Sequence, residues 1–276
     1  MKTAVVTGAT AGIGLEIARG LAHAGHRVVV VGRGRDRVAA AVDIVRGAAA
    51  DPLAVVPIIG DLATVGGIRD VGDAVARLDR LDALVHCAGL WPTRKVITVD
   101  GFEEAFAVNH LAPAILNERL RPLLAASAPA RVIQVSAGLY IKGRVDLERD
   151  PGGDSFHRFR TYATTKLWNL LETLELARSL DASSIAVTAV HPGVVRTKLG
   201  DPGGLLGLVL RFIKRSWLTP EQGARGPVHL ADAPDPAARH GMFFDQTEPM
   251  ALASPADDRA LASAVAAKTR AILDAR

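Results

Sequence analysis

The feature that most constrains this chain is an alternation that begins at its first residues. Short, continuously apolar runs are followed by segments with helical spacing. Thr3–Thr7 reads as a strand, Gly8–Gly14 as a glycine-rich turn, Leu15–Ala24 as a helix and His26–Val31 as a second strand. Arg35–Ala50 then reads as helix, Leu53–Ile59 as strand, Val65–Leu78 as helix and Ala83–Cys87 as strand. Helix Phe102–Leu124, strand Arg131–Val135, helix Tyr162–Leu180 and strand Ile185–His191 follow, with Met242–Phe244 as a last short strand. A strand that is apolar at every position is covered on both faces. The pattern therefore predicts an α/β chain with a doubly wound parallel sheet and helices on both sides.

No linker or shift in composition divides residues 1–276, so one domain is expected. Gly138–Arg160, a polar insertion, and Leu199–Pro220, a loop with an amphipathic piece, interrupt the rhythm. Loops beyond the carboxyl ends of such strands form the ligand crevice, so both are candidate substrate regions. A hydrophobic content of 49% supports a full core and argues against disorder. The net charge of +4 comes from scattered basic residues, so no nucleic-acid partner is expected. The single cysteine, Cys87, excludes a disulfide framework and a cysteine-based zinc site. His110, His157 and His191 form no recognisable metal set. The apolar window Gly203–Ile213 is too short to span a bilayer, and the N-terminus has no export signal. A cytoplasmic protein without integral membrane association is expected.

Thr7-Gly8-Ala9-Thr10-Ala11-Gly12-Ile13-Gly14 lies between the first strand and the first helix. Glycines there allow a tight turn and let backbone approach a pyrophosphate at the helix N-terminus, as in a Rossmann fold. Gly8, Thr10, Gly12, Ile13 and Gly14 are the candidate contacts. The second strand ends in Val31-Gly32-Arg33-Gly34-Arg35, with no acid for the ribose hydroxyls. Arg33 suits a 2′-phosphate, which favours NADP(H). Asp61, followed by Leu62, either accepts from an adenine amino group or caps the next helix. Tyr162 and Lys166 stand at i and i+4, on one helix face. A tyrosine works as a general acid–base only when its pKa falls from ~10 toward neutrality. A nearby lysine, joined by a cationic nicotinamide, favours the phenolate.

Together these motifs resemble the short-chain dehydrogenase/reductase superfamily, in order and over nearly the whole chain. They are Gly8–Gly14, Asp61, His86-Cys87-Ala88-Gly89, Val108-Asn109-His110, Ser136, Tyr162/Lys166 and His191-Pro192-Gly193 with Thr197. Gly101-Phe102-Glu103 leading to Val108-Asn109-His110-Leu111 is similar to the retinol-dehydrogenase-like branch, which includes the WW-domain oxidoreductases. The resemblance implies carbonyl/alcohol interconversion with a nicotinamide. Tyr162 would exchange the proton at the substrate oxygen, and Lys166 would bind the nicotinamide ribose and lower that phenol's pKa. Asn109 would hold a helix kink and a water leading protons from the lysine. Pro192, Gly193 and Val195 would meet the nicotinamide amide near Thr197, while Cys87, Ala88 and Gly89 would line the adenosine side.

The family shows two small hydroxylated residues after the fifth strand, the second polarising the carbonyl. Here Ser136 is followed by Ala137. Ungapped matching puts Ala137 in the catalytic place; a one-residue shift at Gly138 restores Ser136, which is the expected donor. Without it the site would be a slow reductase, use another donor such as Tyr140, or do other chemistry. The leading expectation is an NADP(H)-dependent oxidoreductase acting on a ketone or secondary alcohol. Leu205, Leu206, Leu208, Val209, Leu210 and Phe212 point to a lipophilic substrate, or to packing on the domain or on a second identical subunit. The alternatives are a cofactor-retaining fold doing cyclisation, dehydration or epimerisation, and a nucleotide-sensing binding protein.

Overall fold

The apolar runs pair into one eight-stranded sheet of order β3-β2-β1-β4-β5-β6-β7-β8. Residues 1–196 and 217–276 are described by the structure, a computed structural model. The strands are β1 (Thr3–Thr7), β2 (Arg27–Gly32), β3 (Val55–Ile59), β4 (Ala83–His86), β5 (Ala130–Val135), β6 (Ile185–His191), β7 (Phe243–Asp245) and β8 (Glu248–Met250). β1 to β7 pair in parallel, with Val5 facing Val29 on one side and Leu84 on the other. β8 corrects the all-parallel expectation. It folds back antiparallel on β7 through Phe244↔Pro249, so the last strand is not Met242–Phe244. Order reverses between β1 and β4, and in sheets of this kind the ligand crevice lies beyond the carboxyl ends at that point.

Helices α1 (Gly12–His23), α2 (Arg35–Arg46) and α3 (Val65–Ala76) follow the first three strands. α1 starts three residues earlier than its apolar spacing, so the glycine turn runs directly into its first turn. α2 stops at Arg46, and a 3-10 turn at Pro52–Ala54, closed by Leu53 N–H donating to Asp51, shortens the third strand. Phe102–Leu124 is not one regular helix. It comprises α4 (Glu104–Phe106), a π-helical turn over Ala107–Leu111 and α5 (Ala112–Ala126). α6 (Arg158–Ser179) starts one turn before Tyr162, capped by His157. α7 (Pro220–Asp232) and α8 (Arg259–Asp274) complete the layers and lie beyond the apolar rhythm of the sequence.

Alternation along the strands divides the core. Val5, Leu84, Val132 and Val187 pack with α3, α5, α6 and α8, while Val6, Val85, Ile133, Val135 and Val190 pack with α1, α2 and α7. No helix among the described residues is long and apolar enough to cross a membrane. Thr197 and the apolar run Leu205–Phe212 lie outside the described residues.

Candidate active site

The crevice is bordered by chain segments that leave the strand ends half-buried, among them Cys87–Trp91 after β4 and Ala137–Leu139 after β5. At β1, Thr7 Oγ1 accepts the N–H groups of Cys87 and Ala88, both at 3.1 Å. Gly8, at φ +68°, lies so close to this segment that a Cβ would stand 2.7 Å from the Ala88 Cα. Gly12, Ile13 and Gly14 open α1, whose N-cap Ala11 offers no side-chain acceptor, so its first N–H groups face the crevice without a cap. The Thr10 methyl fills the space beside Gly32. Arg33 stands at the end of β2, half-exposed and 3.8 Å from Glu104. Asp61 accepts Ala63 N–H at 3.0 Å and does not cap α3; Thr64 does. Leu62 is buried below it.

Tyr162, Lys166 and Asn109 converge although α6 and the π turn are far apart in sequence. Asn109 Oδ1 accepts Leu90 N–H at 2.7 Å, while Nδ2 donates to Leu90 O and Thr165 Oγ1, each at 2.9 Å. Thr165 Oγ1 donates in turn to the Tyr162 carbonyl at 2.9 Å. The π turn displaces the ladder, and the Asn109 carbonyl takes a bond from Asn169 Nδ2 at 2.8 Å. Lys166 Nζ donates to Val135 O at 3.1 Å, at the carboxyl end of β5. Gly89 lies beside both groups: a Cβ there would stand 3.4 Å from Asn109 Oδ1 and 3.6 Å from Lys166 Nζ, in ordinary van der Waals contact. Burial pushes the Lys166 ammonium down to about 8. Burial, with Cys87 adding to it, holds the Tyr162 phenol above the ordinary tyrosine range. These directions belong to the protein without its nicotinamide, whose positive charge is the other half of the expected effect on the phenol.

A family model described as short chain dehydrogenase matches residues 2–202. The chain belongs to the short-chain dehydrogenases. It is 33% identical to retinol dehydrogenase 14 of Homo sapiens, across 95% of this chain and 83% of that protein, which puts it in the retinol-dehydrogenase-like branch. Among solved structures it is similar to an uncharacterised protein from Mycobacterium paratuberculosis, with 28% identity, a TM-score of 0.78 and coverage of 99% and 94% of the two chains. It is also similar to RhlG of Pseudomonas aeruginosa in complex with NADP, with 25% identity, a TM-score of 0.68 and coverage of 88% and 94%. Membership makes the chain an oxidoreductase of this family, with the Rossmann sheet its members share.

In this short-chain dehydrogenase the serine question takes a definite shape. Ser136 N–H extends the β5–β6 ladder to Val190 O at 2.8 Å, so the alternation that sends Val135 to the α1/α7 side sends Ser136 to the α5/α6 side. Its hydroxyl is buried and has no hydrogen-bond partner among the described residues. Ala137 is the half-buried neighbour. Tyr140, the alternative donor, sits in the core. It is buried against Phe243 and its hydroxyl accepts Ala253 N–H at 3.0 Å. The Cys87 thiol is pushed up to about 12 by burial, with the Lys166 charge acting against that shift. His191 accepts Gly138 N–H, His157 accepts Arg160 N–H, and His110 meets Thr269 inside the core. After β6, Pro192 is buried and Val195 bridges to Leu218, so the loop is tied to the entry of α7. A Cβ on Gly193, at φ +82°, would strike Leu218.

Trp91 was not singled out by any motif. Its indole lies flat on the Tyr162 ring, with centroids 4.3 Å apart and planes 17° apart. A lone tryptophan two residues after Gly89, in a chain with 4% aromatics, was the available signal.

Proposed function

We propose that this protein is an NADP(H)-dependent oxidoreductase that interconverts a ketone and a secondary alcohol on a lipophilic small molecule. The observation that carries the reading is the joint placement of Tyr162, Lys166 and Asn109 beside Gly89. The close-packed turn at Gly8, the uncapped α1 N-terminus and the exposed Arg33 fit a dinucleotide with a 2′-phosphate. The 3.8 Å pair with Glu104 is weak at the surface and leaves the guanidinium free to turn to a phosphate. Asp61 keeps an oxygen for the adenine amino group, beside Leu62. When bound, the nicotinamide supplies or accepts the hydride.

The chain's own residues handle the proton. Tyr162 Oη holds it, and a phenol raised by burial is protonated at neutral pH, ready to donate to a carbonyl oxygen. In the alcohol-to-ketone direction Lys166 stabilises the phenolate and binds the ribose hydroxyls, with Asn109 holding the kink that keeps the lysine's surroundings in place. Ser136 is the second donor. Its buried hydroxyl on the α6 side, partnerless among the described residues, is a group whose hydrogen bond a substrate oxygen would complete. Pro192, Gly193, Val195 and Thr197 would receive the nicotinamide amide. A second reading, a non-redox dehydration or epimerisation on the same fold, draws on Ala137 at the half-buried place.

The test is Tyr162→Phe. Turnover of a ketone with NADPH should fall by roughly 10²–10⁴-fold, with little change in the NADPH Kd by fluorescence titration. Retained turnover would refute the assignment.

A further inference from the structure

We infer that Trp91 is a specificity-determining residue of this site, and that its substrate carries a flat aromatic group on the carbonyl carbon, as an aryl ketone or the corresponding benzylic alcohol. The inference rests on the oxidoreductase reading above. Trp91 is not a side chain that happens to land near the phenol. Both peptide groups of the preceding residue, Leu90, are held by the Asn109 side chain, so the site's own asparagine sets where the indole goes. From there the indole covers one face of the Tyr162 ring. A substrate group brought to Oη from that face therefore meets the indole.

The row of rings continues outward. Phe159, one turn before Tyr162 on α6, meets Trp91 edge-on with centroids 5.6 Å apart, and is 41% exposed. By contrast, Phe106 with His110 and Trp168, and Tyr140 with Phe243, are buried groupings. Trp91 is half-buried, at the end of the segment Cys87–Trp91 that borders the crevice. Two large rings are thus left partly accessible beside the phenol, where a ligand can meet them. Ring edges carry positive charge density and ring faces negative, so an aryl group gains an oriented contact here that a puckered aliphatic ring of the same size does not.

The experiment compares acetophenone with cyclohexyl methyl ketone, which share a carbon count and differ in flatness. The full chain, Trp91→Ala and Trp91→Phe are assayed with NADPH, and the ratio of kcat/KM values for the two ketones is compared between enzymes, which cancels their intrinsic reactivities. Trp91→Ala should lower the ratio by about threefold to tenfold, mainly through KM, and Trp91→Phe should restore most of it. General loosening around Tyr162 would slow both ketones alike and leave the ratio unchanged, which would overturn the inference. Ketone binding, measured by calorimetry on the same three proteins, separates the two readings. Trp91-dependent preference for acetophenone without turnover by either nicotinamide would sink the oxidoreductase and keep the aromatic subsite. Turnover with a binding ratio for the two ketones that is the same in all three proteins would sink the subsite alone.

Discussion

Replacing Lys166 by methionine should make this protein more stable while removing its activity. The ammonium is buried beneath Tyr162 and makes a bond to Val135 O at 3.1 Å. Burial pushes it down to about 8 from an ordinary value of 10.5, so keeping it charged costs the folded state about 3 kcal/mol. Methionine is of similar length and apolar, and the lost bond to a carbonyl subtracts roughly 1–2 kcal/mol. A net gain of about 1–2 kcal/mol is expected at pH 6. Its pH dependence has a definite sign. The unfolded lysine binds a proton up to 10.5 and the folded one only to about 8, so the wild type gains stability as pH rises between these values. The advantage of Lys166→Met should therefore shrink through that window. Urea unfolding of both proteins at pH 6 and pH 10, with m-values compared, measures it. A variant that is less stable at pH 6, or equally advantaged at both pH values, would show that the buried charge is not the cost described here.

Arg33→Ala should weaken NADPH binding on the order of tenfold or more and NADH binding little, by titration of each cofactor; equal losses would remove the 2′-phosphate assignment. Ser136→Ala should lower ketone turnover on the order of a hundredfold with little change in cofactor affinity. A mild effect there, with a faster Ala137→Ser, would move the donor position to residue 137.

How much of this was legible depends on how local each signal was. β1, β2, β5 and β6 are short runs dominated by apolar residues, and their apolar side chains divide between the two cores by simple alternation. Tyr162 and Lys166 declare themselves because one helical turn puts them together. Element starts were harder to read. α1 begins after Ala11, which has no capping side chain, and α6 begins after a histidine. Thr219-Pro220-Glu221-Gln222 does carry a readable start, a complete capping box for α7. β8, Glu248–Met250, is exposed throughout and has no apolar pattern; it exists because β7 offers it an edge.

The sequence by itself determined the alternation of strands and helices, the glycine turn after the first strand, the cation after the second and the Tyr–Lys helix face. Each of these is set by contacts within a few residues or by periodicity. Only the tertiary structure decided that Asn109 clamps Leu90, that this clamp lays Trp91 on Tyr162, and that Ser136 turns inward while Ala137 borders the crevice. It also decided the protonation behaviour of the pair. A pKa depends on how much water the surrounding elements exclude, and β4, β5, the π turn and α6 exclude it jointly, from segments that the sequence keeps far apart.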